Sequence, residues 1–80
     1  MRTIIRFSIN GERNSQLRNL LRDILVRHGF AKHGRSTATY EHAAISEQAL
    51  ASAMLEFWTQ AQTPPNQARL DHFWMYSDNP

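Results

Sequence analysis

The sequence predicts an α+β fold in which two helices cover an antiparallel sheet. Segments near the two ends of the chain alternate their side chains with the two-residue period of a strand. Two segments between them repeat apolar side chains at helical spacing, and turn residues separate all four. Since eighty residues suffice for one domain, we expect residues 1–76 to form it and residues 77–80 to be a polar tail.

The first strand is predicted over residues 3–9. Ile5, Phe7 and Ile9 fall on one side of this segment, as in a half-buried strand. The Asn10-Gly11 pair that follows is typical of a turn.

The first helix is predicted to begin near Ser15 or Gln16 and to end just before Gly29. Its apolar stripe has helical spacing and consists of Leu17, Leu20, Leu21, Ile24, Leu25 and His28. Glycine readily adopts the left-handed conformation past a helix end, so Phe30 can fold back onto Leu25 in a Schellman ending.

The middle of the chain predicts a hairpin and a second helix. Residues 30–33 and 37–42 are the expected hairpin strands, with the turn at Gly34-Arg35. Ser46 is the expected N-cap, and Glu47 in the first turn complements the helix dipole. The apolar stripe of this helix is Leu50, Ala53, Met54, Phe57, Trp58 and Ala61.

A last strand is predicted from Arg69 to Tyr76, after a loop over residues 63–66 that contains two prolines. The order strand, helix, strand, strand, helix, strand is the split βαβ arrangement of ferredoxin-like folds, with both helices on one face. The other face is expected to bind a second copy, giving a homodimer; edge pairing is an alternative. The expected interface residues are Phe73, Trp74, Met75 and Tyr76.

Charge is distributed unevenly along the chain. The net charge is +2, but residues 1–40 carry +6 and residues 41–80 carry −4. Arginine presents a fork of donors that suits phosphate oxygens, so the basic half predicts RNA or DNA as a partner. The candidate nucleic-acid-binding residues are Arg13, Arg18, Arg22, Lys32 and Arg35. Two alternatives stay open: a solvated basic helix face, and contact between the basic and acidic halves of two subunits.

A family resemblance covers most of the chain. Its elements are the first strand Ile-Ile-Arg-Phe-Ser-Ile at 4–9, the helix ending over Leu25–Phe30, the hairpin from Gly34 to Tyr40 and the aromatic last strand. In these the chain resembles virulence-associated protein D and, more distantly, the CRISPR-associated protein 2 family and the GhoS antitoxin ribonuclease. The resemblance implies a ferredoxin-like homodimer of a toxin–antitoxin or bacterial defence system, with a cognate toxin or antitoxin as a further partner. Such a dimer cleaves RNA or DNA, or binds nucleic acid without cleavage.

One position departs from that family. Its members commonly carry a Phe-Asp pair at the end of the first strand, where this chain has Phe7-Ser8. A neutral hydroxyl is a poor ligand for Mg²⁺, the cofactor that a nuclease of this kind would use, although Glu12 lies nearby in sequence. The chain is therefore expected to be either an endoribonuclease or a catalytically degenerate relative. The alternative is a non-enzymatic dimeric module that binds protein or nucleic acid.

The candidate catalytic residues are Ser8, Asn10 and His33. A histidine supplies an acid or base near neutral pH, as metal-free RNA cleavage requires. His42 and His72 are expected to be cross-strand neighbours, but no spacing enforces a catalytic pair or predicts a metal site.

Composition excludes several classes of protein. The chain has no cysteine, which excludes a disulfide framework, a zinc knuckle and thiol catalysis. No apolar run approaches the roughly 20 residues of a membrane-spanning helix, and Arg6 interrupts the first apolar stretch before a signal-peptide core can form. A cytoplasmic protein is therefore expected.

Overall fold

The computed structural model describes residues 1–11, 16–34, 38–62 and 68–78. It has an α+β fold with a four-stranded antiparallel sheet and two helices. In chain order the elements are β1 (Arg2–Asn10), α1 (Gln16–Arg27), β2 (Ala31–Lys32), β3 (Thr39–His42), α2 (Glu47–Ala61) and β4 (Arg69–Asp78). Neither helix in this part of the chain is long and apolar enough to cross a membrane.

The strand order in the sheet is β2-β3-β1-β4, and all neighbours are antiparallel. β1 is a central strand because β3 pairs with one side of it and β4 with the other. Ile5, for example, lies between Tyr40 of β3 and Met75 of β4. The outer strands β2 and β4 therefore form opposite edges of the sheet.

Both helices pack on the same face of the sheet. The alternation predicted for β1 is confirmed: Thr3, Ile5 and Phe7 are buried, whereas Arg6 is exposed. Phe7 contacts Phe57 of α2 edge to face, with ring centroids 5.4 Å apart. The buried helix residues of the core are Leu17, Leu21, Ile24 and Leu25 of α1 and Leu50, Ala53 and Phe57 of α2.

The C-terminus of α1 is the predicted Schellman ending. The Phe30 N–H donates to the Leu25 carbonyl at 2.9 Å, and the Gly29 N–H donates to the Val26 carbonyl at 3.0 Å. Gly29 has φ +92°, the left-handed conformation that satisfies these carbonyls. Phe30 and Leu25 are both buried in the core. This ending reverses the chain directly into β2.

The beginning of α2 is also as predicted. Ser46 is the N-cap, and its hydroxyl accepts a hydrogen bond from the Ala49 N–H at 3.1 Å. Farther along, Glu56 of α2 accepts hydrogen bonds from Arg27 Nη1 at 3.0 Å and from His28 Nε2 at 2.8 Å. The Arg27 and His28 contacts hold the pKa of the Glu56 carboxyl below its ordinary value. This carboxylate therefore joins the end of α1 to the middle of α2.

Two expectations from the sequence, the end of the last strand and the pairing of His42 with His72, are wrong. β4 extends through Ser77 and Asp78, which the sequence pattern assigns to a polar tail, and the Ser77 hydroxyl lies 2.9 Å from that of Thr3. His42 and His72 are not cross-strand neighbours, because β1 lies between their strands. A two-residue period indicates a strand but not its place in a sheet.

Substitution of Gly29 tests the chain reversal. A Cβ at this position would lie 2.8 Å from His42 Nε2, and an L side chain at φ +92° is strained. We expect Gly29→Ala to lower the free energy of unfolding by about 2 kcal/mol or more, measured by urea denaturation. Gly34→Ala is the matched control, because Gly34 has φ +61° but a Cβ there would have no atom within 4 Å. An equal loss in both variants would contradict the close packing of Gly29 on His42.

Candidate nucleic-acid interface

A groove of about 380 Å³ lies between α1 and the β2 edge of the sheet. Its lining residues are Arg18, Asn19, Arg22, Val26, Lys32 and Tyr40. Three of the five candidate nucleic-acid-binding residues, Arg18, Arg22 and Lys32, are therefore brought together. Arg13 and Arg35 lie outside the described residues.

The groove has one wall from α1 and one from the hairpin. Arg18 and Arg22 are four residues apart, so they lie one above the other on the helix. The reversal after α1 returns the chain alongside it, and Lys32 then lies directly opposite Tyr40 in the β2–β3 ladder. Since directly opposed residues share a face of the sheet, Lys32 and Tyr40 both project toward the helix side.

The groove is basic, and its charges act on Tyr40. Burial raises the pKa of the Tyr40 hydroxyl, while the positive charges of Arg22 and Arg18 oppose that rise. Arg22 donates to Asp23 Oδ1 from Nε at 3.1 Å and from Nη2 at 3.0 Å, which orients its guanidinium. Arg18, Arg22 and Lys32 are all exposed at the surface. The arrangement presents three cations around one tyrosine to an anionic ligand.

The candidate catalytic residues do not form one site, because His33 lies two strands away from the strand that carries Ser8 and Asn10. The backbone N–H of His33 donates to the Thr39 carbonyl at 2.8 Å, and Thr39 pairs with Arg6 of β1. His33 is therefore two strands, or about 10 Å, from β1, and Ser8 lies about 7 Å farther along that strand. Asn10 is farther still, where β1 pairs with Arg69. His33 is therefore beyond hydrogen-bond reach of both Ser8 and Asn10.

Ser8 and His33 have local surroundings that do not support nucleophilic chemistry. The Ser8 Oγ is buried and makes no hydrogen bond within the described part of the chain, so no general base among those residues contacts it. His33 Nδ1 instead lies 2.9 Å from Glu41 Oε1, and Arg2 also donates to Glu41. The contacts with Arg2 and His33 lower the pKa of the Glu41 carboxyl.

The four expected interface residues divide between two faces of β4. Phe73 lies on the helix side, with its ring centroid 4.8 Å from that of Trp58. Met75 lies opposite buried Ile5 and shares that face. Trp74 and Tyr76 lie on the helix-free face, with parallel rings whose centroids are 6.2 Å apart. Because β4 is the edge opposite β2, none of the four lies beside the basic groove.

The part of the chain that the structure describes contains no cluster of side chains that could bind a metal ion. Over 1–11, 16–34, 38–62 and 68–78, no three histidine, aspartate or glutamate side chains are placed to hold an ion. Glu12, the carboxylate near the end of the first strand, is outside those ranges.

Comparisons with protein-family models, with curated proteins and with solved structures find no match to this chain. The family resemblance drawn from the sequence therefore stays a prediction.

Tyr40, Asn19 and Val26 line the groove without having been identified from the sequence. Val26 follows Arg22 by four residues, so the helical spacing of Arg18 and Arg22 already indicated it. Tyr40 carried no such signal, because its place opposite Lys32 depends on the hairpin register.

Titration of Tyr40 tests the proximity of the two arginines. The protein has two tyrosines, so a Tyr76→Phe background leaves Tyr40 as the observed phenol. We expect Arg18→Gln and Arg22→Gln each to raise the Tyr40 pKa, because each removes a positive charge that favours the phenolate. Absorbance or NMR titration measures the change, and Arg69→Gln on β4 is the charge-matched control. A Tyr40 pKa that is unchanged in both groove variants would contradict the geometry.

Proposed function

We propose that this protein is a ferredoxin-like module that binds nucleic acid through phosphate contacts. The strand order supports the fold assignment, because β3 lies between β1 and β2, the two strands that α1 connects. That insertion is the mark of a split βαβ unit. The sequence resemblance to small nucleic-acid-directed proteins of toxin–antitoxin and defence systems agrees with this proposal.

The observation that carries the proposal is the convergence of Arg18, Arg22 and Lys32 on one groove. The residues come from two elements, and the chain reversal at Gly29 brings the elements together. Arginine forks donate paired hydrogen bonds to phosphate oxygens, and lysine supplies a further compact charge. A phosphodiester backbone matches this donor set because it repeats an anionic group along its length.

Binding rather than cleavage is proposed because of where the candidate catalytic residues lie. Ser8, Asn10 and His33 are separated along and across the sheet, and the buried Ser8 hydroxyl contacts no base in the described chain. Cleavage would require an acid and a base on either side of one phosphodiester. The groove residues Arg18, Arg22 and Lys32 are cations, which suit binding but not proton transfer near neutral pH.

Binding through phosphate contacts is expected to depend little on the nucleotide sequence of the ligand, and its affinity is expected to fall as the salt concentration rises. Contacts to the backbone position a ligand without reading its bases. Each phosphate contact releases counterions, so log K falls by about 0.7 per contact for single strands and about 0.9 for duplex with each tenfold rise in salt. Three contacts per chain therefore predict a slope of about −2 to −3.

The salt dependence of affinity tests the proposed function. We expect fluorescence anisotropy with a labelled 12-nucleotide oligouridylate and a duplex of equal length to show this slope. We expect each of the variants Arg18→Gln, Arg22→Gln and Lys32→Gln to bind several-fold more weakly. In each, the magnitude of the salt slope should fall by about 0.7 to 0.9, the contribution of one phosphate contact. Arg69→Gln is the control, since it removes the same charge from the opposite edge of the sheet.

Equal weakening by all four variants would indicate only a response to net charge and would contradict a groove. Affinity that does not change with salt would contradict phosphate contacts altogether. Incubation of the wild-type protein with the same oligonucleotide, with and without Mg²⁺ or Mn²⁺, should leave it intact. Cleavage there would show that the protein is an enzyme.

A further inference from the structure

β4 is an edge strand whose C-terminal half lacks the features that usually prevent pairing with another chain. It is the outermost strand of the sheet and runs for ten residues, from Arg69 to Asp78. Natural edge strands usually carry charges, prolines or bulges that prevent pairing with another chain. Between Asp71 and Asp78, however, the sequence is His-Phe-Trp-Met-Tyr-Ser, with no lysine, arginine, carboxylate or proline. Trp74, Met75 and Tyr76 remain 45%, 42% and 47% exposed.

The C-terminal half of β4, from His72 to Asp78, is also regular enough to accept a partner strand. The register shift in the β1–β4 ladder lies between Ser8 and Ile9, which places it before His72 on β4. From His72 to Asp78 the pairing with β1 runs without interruption. On the helix-free face, the Arg6 guanidinium lies 5.0 Å from the Trp74 ring centroid and helps to orient it.

We propose that β4 pairs antiparallel with β4 of a second copy of this chain, about a two-fold axis at Met75. The two sheets then form one continuous sheet of eight strands. This surface is distinct from the basic groove, and the pairing does not depend on whether the groove binds nucleic acid.

Symmetry restricts the possible registers to those centred on a residue. Directly opposed residues of antiparallel strands share a face, so residue numbers opposite each other must be both even or both odd in this regular segment. Centring on Met75 places His72 opposite Asp78 of the second copy, and Trp74 opposite its Tyr76. Each pair occurs twice by symmetry.

These opposed pairs are complementary in the Met75 register. An imidazole N–H can donate to the facing carboxylate, and aromatic cross-strand pairs stabilise antiparallel sheets. Centring on Tyr76 would instead place Asp78 opposite Trp74, which desolvates a carboxylate against an apolar side chain. Centring on Trp74 would carry the pairing past the register shift, where Leu70 lies opposite Ile9 on the helix side and does not share a face with Asp78. Of these three registers, the one centred on Met75 pairs complementary side chains of two copies, so a second copy of this chain is the occupant that suits the edge.

The pairing has a geometric consequence for the basic groove. The groove lies near β2, at the sheet edge opposite β4, so the dimer would hold its two grooves at the far ends of the eight strands. With adjacent strands about 4.8 Å apart, those ends are separated by roughly 35 Å. A β4 dimer thus carries two separated grooves.

Cysteine cross-linking tests the register, because the natural chain has no cysteine and any disulfide joins two copies. In Met75→Cys the two thiols face each other across the axis, with Cα atoms about 5 Å apart, within disulfide range. In Trp74→Cys the two cysteines are offset by two residues along the strands, and their Cα atoms lie about 8 Å apart, beyond disulfide range. Leu55→Cys, at a 73% exposed position on α2, reports random collision.

We expect Met75→Cys to cross-link about tenfold faster than either control under mild oxidation, because pairing raises the effective thiol concentration. A rate no higher than that of Leu55→Cys, or faster cross-linking of Trp74→Cys, would overturn the proposal. Sedimentation of the unmodified wild-type chain provides an independent test: a dimer is expected, and a monomer at tens of micromolar would overturn the proposal. Met75→Lys should yield monomers and Leu55→Lys dimers, with circular dichroism confirming that both fold.

Discussion

The chain reversal at Gly29 is the constraint on which the functional surface depends. Its left-handed backbone lets the Phe30 N–H reach the Leu25 carbonyl, and Phe30 then enters the core beneath α1. The close approach of Gly29 to the His42 ring leaves no room for a side chain there. β2 consequently begins two residues later and places Lys32 beside α1. A different helix ending would leave the arginines of α1 without a basic partner across the groove.

The central position of β1 separates the two surfaces of the molecule. Because β3 and β4 pair with opposite sides of β1, the groove and the aromatic edge strand lie at opposite ends of the sheet. The one-sided helix packing buries Ile5 and Phe7 and leaves Arg6 and Trp74 on the other face. The proposed nucleic-acid contacts and the proposed self-pairing therefore use different residues and can be lost independently by substitution.

Local signals predicted the elements and the ends of the helices, whereas the ends of the strands and the long-range register had to come from the structure. Gly29 and Ser46 were recognised because a left-handed glycine and an N-cap serine act on backbone groups a few residues away. β4 was harder: apolar side chains occupy both of its faces, so no alternation revealed that Phe73 packs inward on Trp58. The separation of His33 from Ser8 depends on strand order, which composition and spacing do not encode.

The most direct measurement of the central claim is an NMR titration of the isotopically labelled protein with an eight-nucleotide oligouridylate. We expect the largest shifts at the Nε–H groups of Arg18 and Arg22 and at the backbone amides of Lys32 and Tyr40, because these groups border the groove. Largest shifts at Trp74 and Tyr76 would place the ligand on the helix-free face and contradict the groove. So would unshifted arginine signals once the oligonucleotide is fully bound.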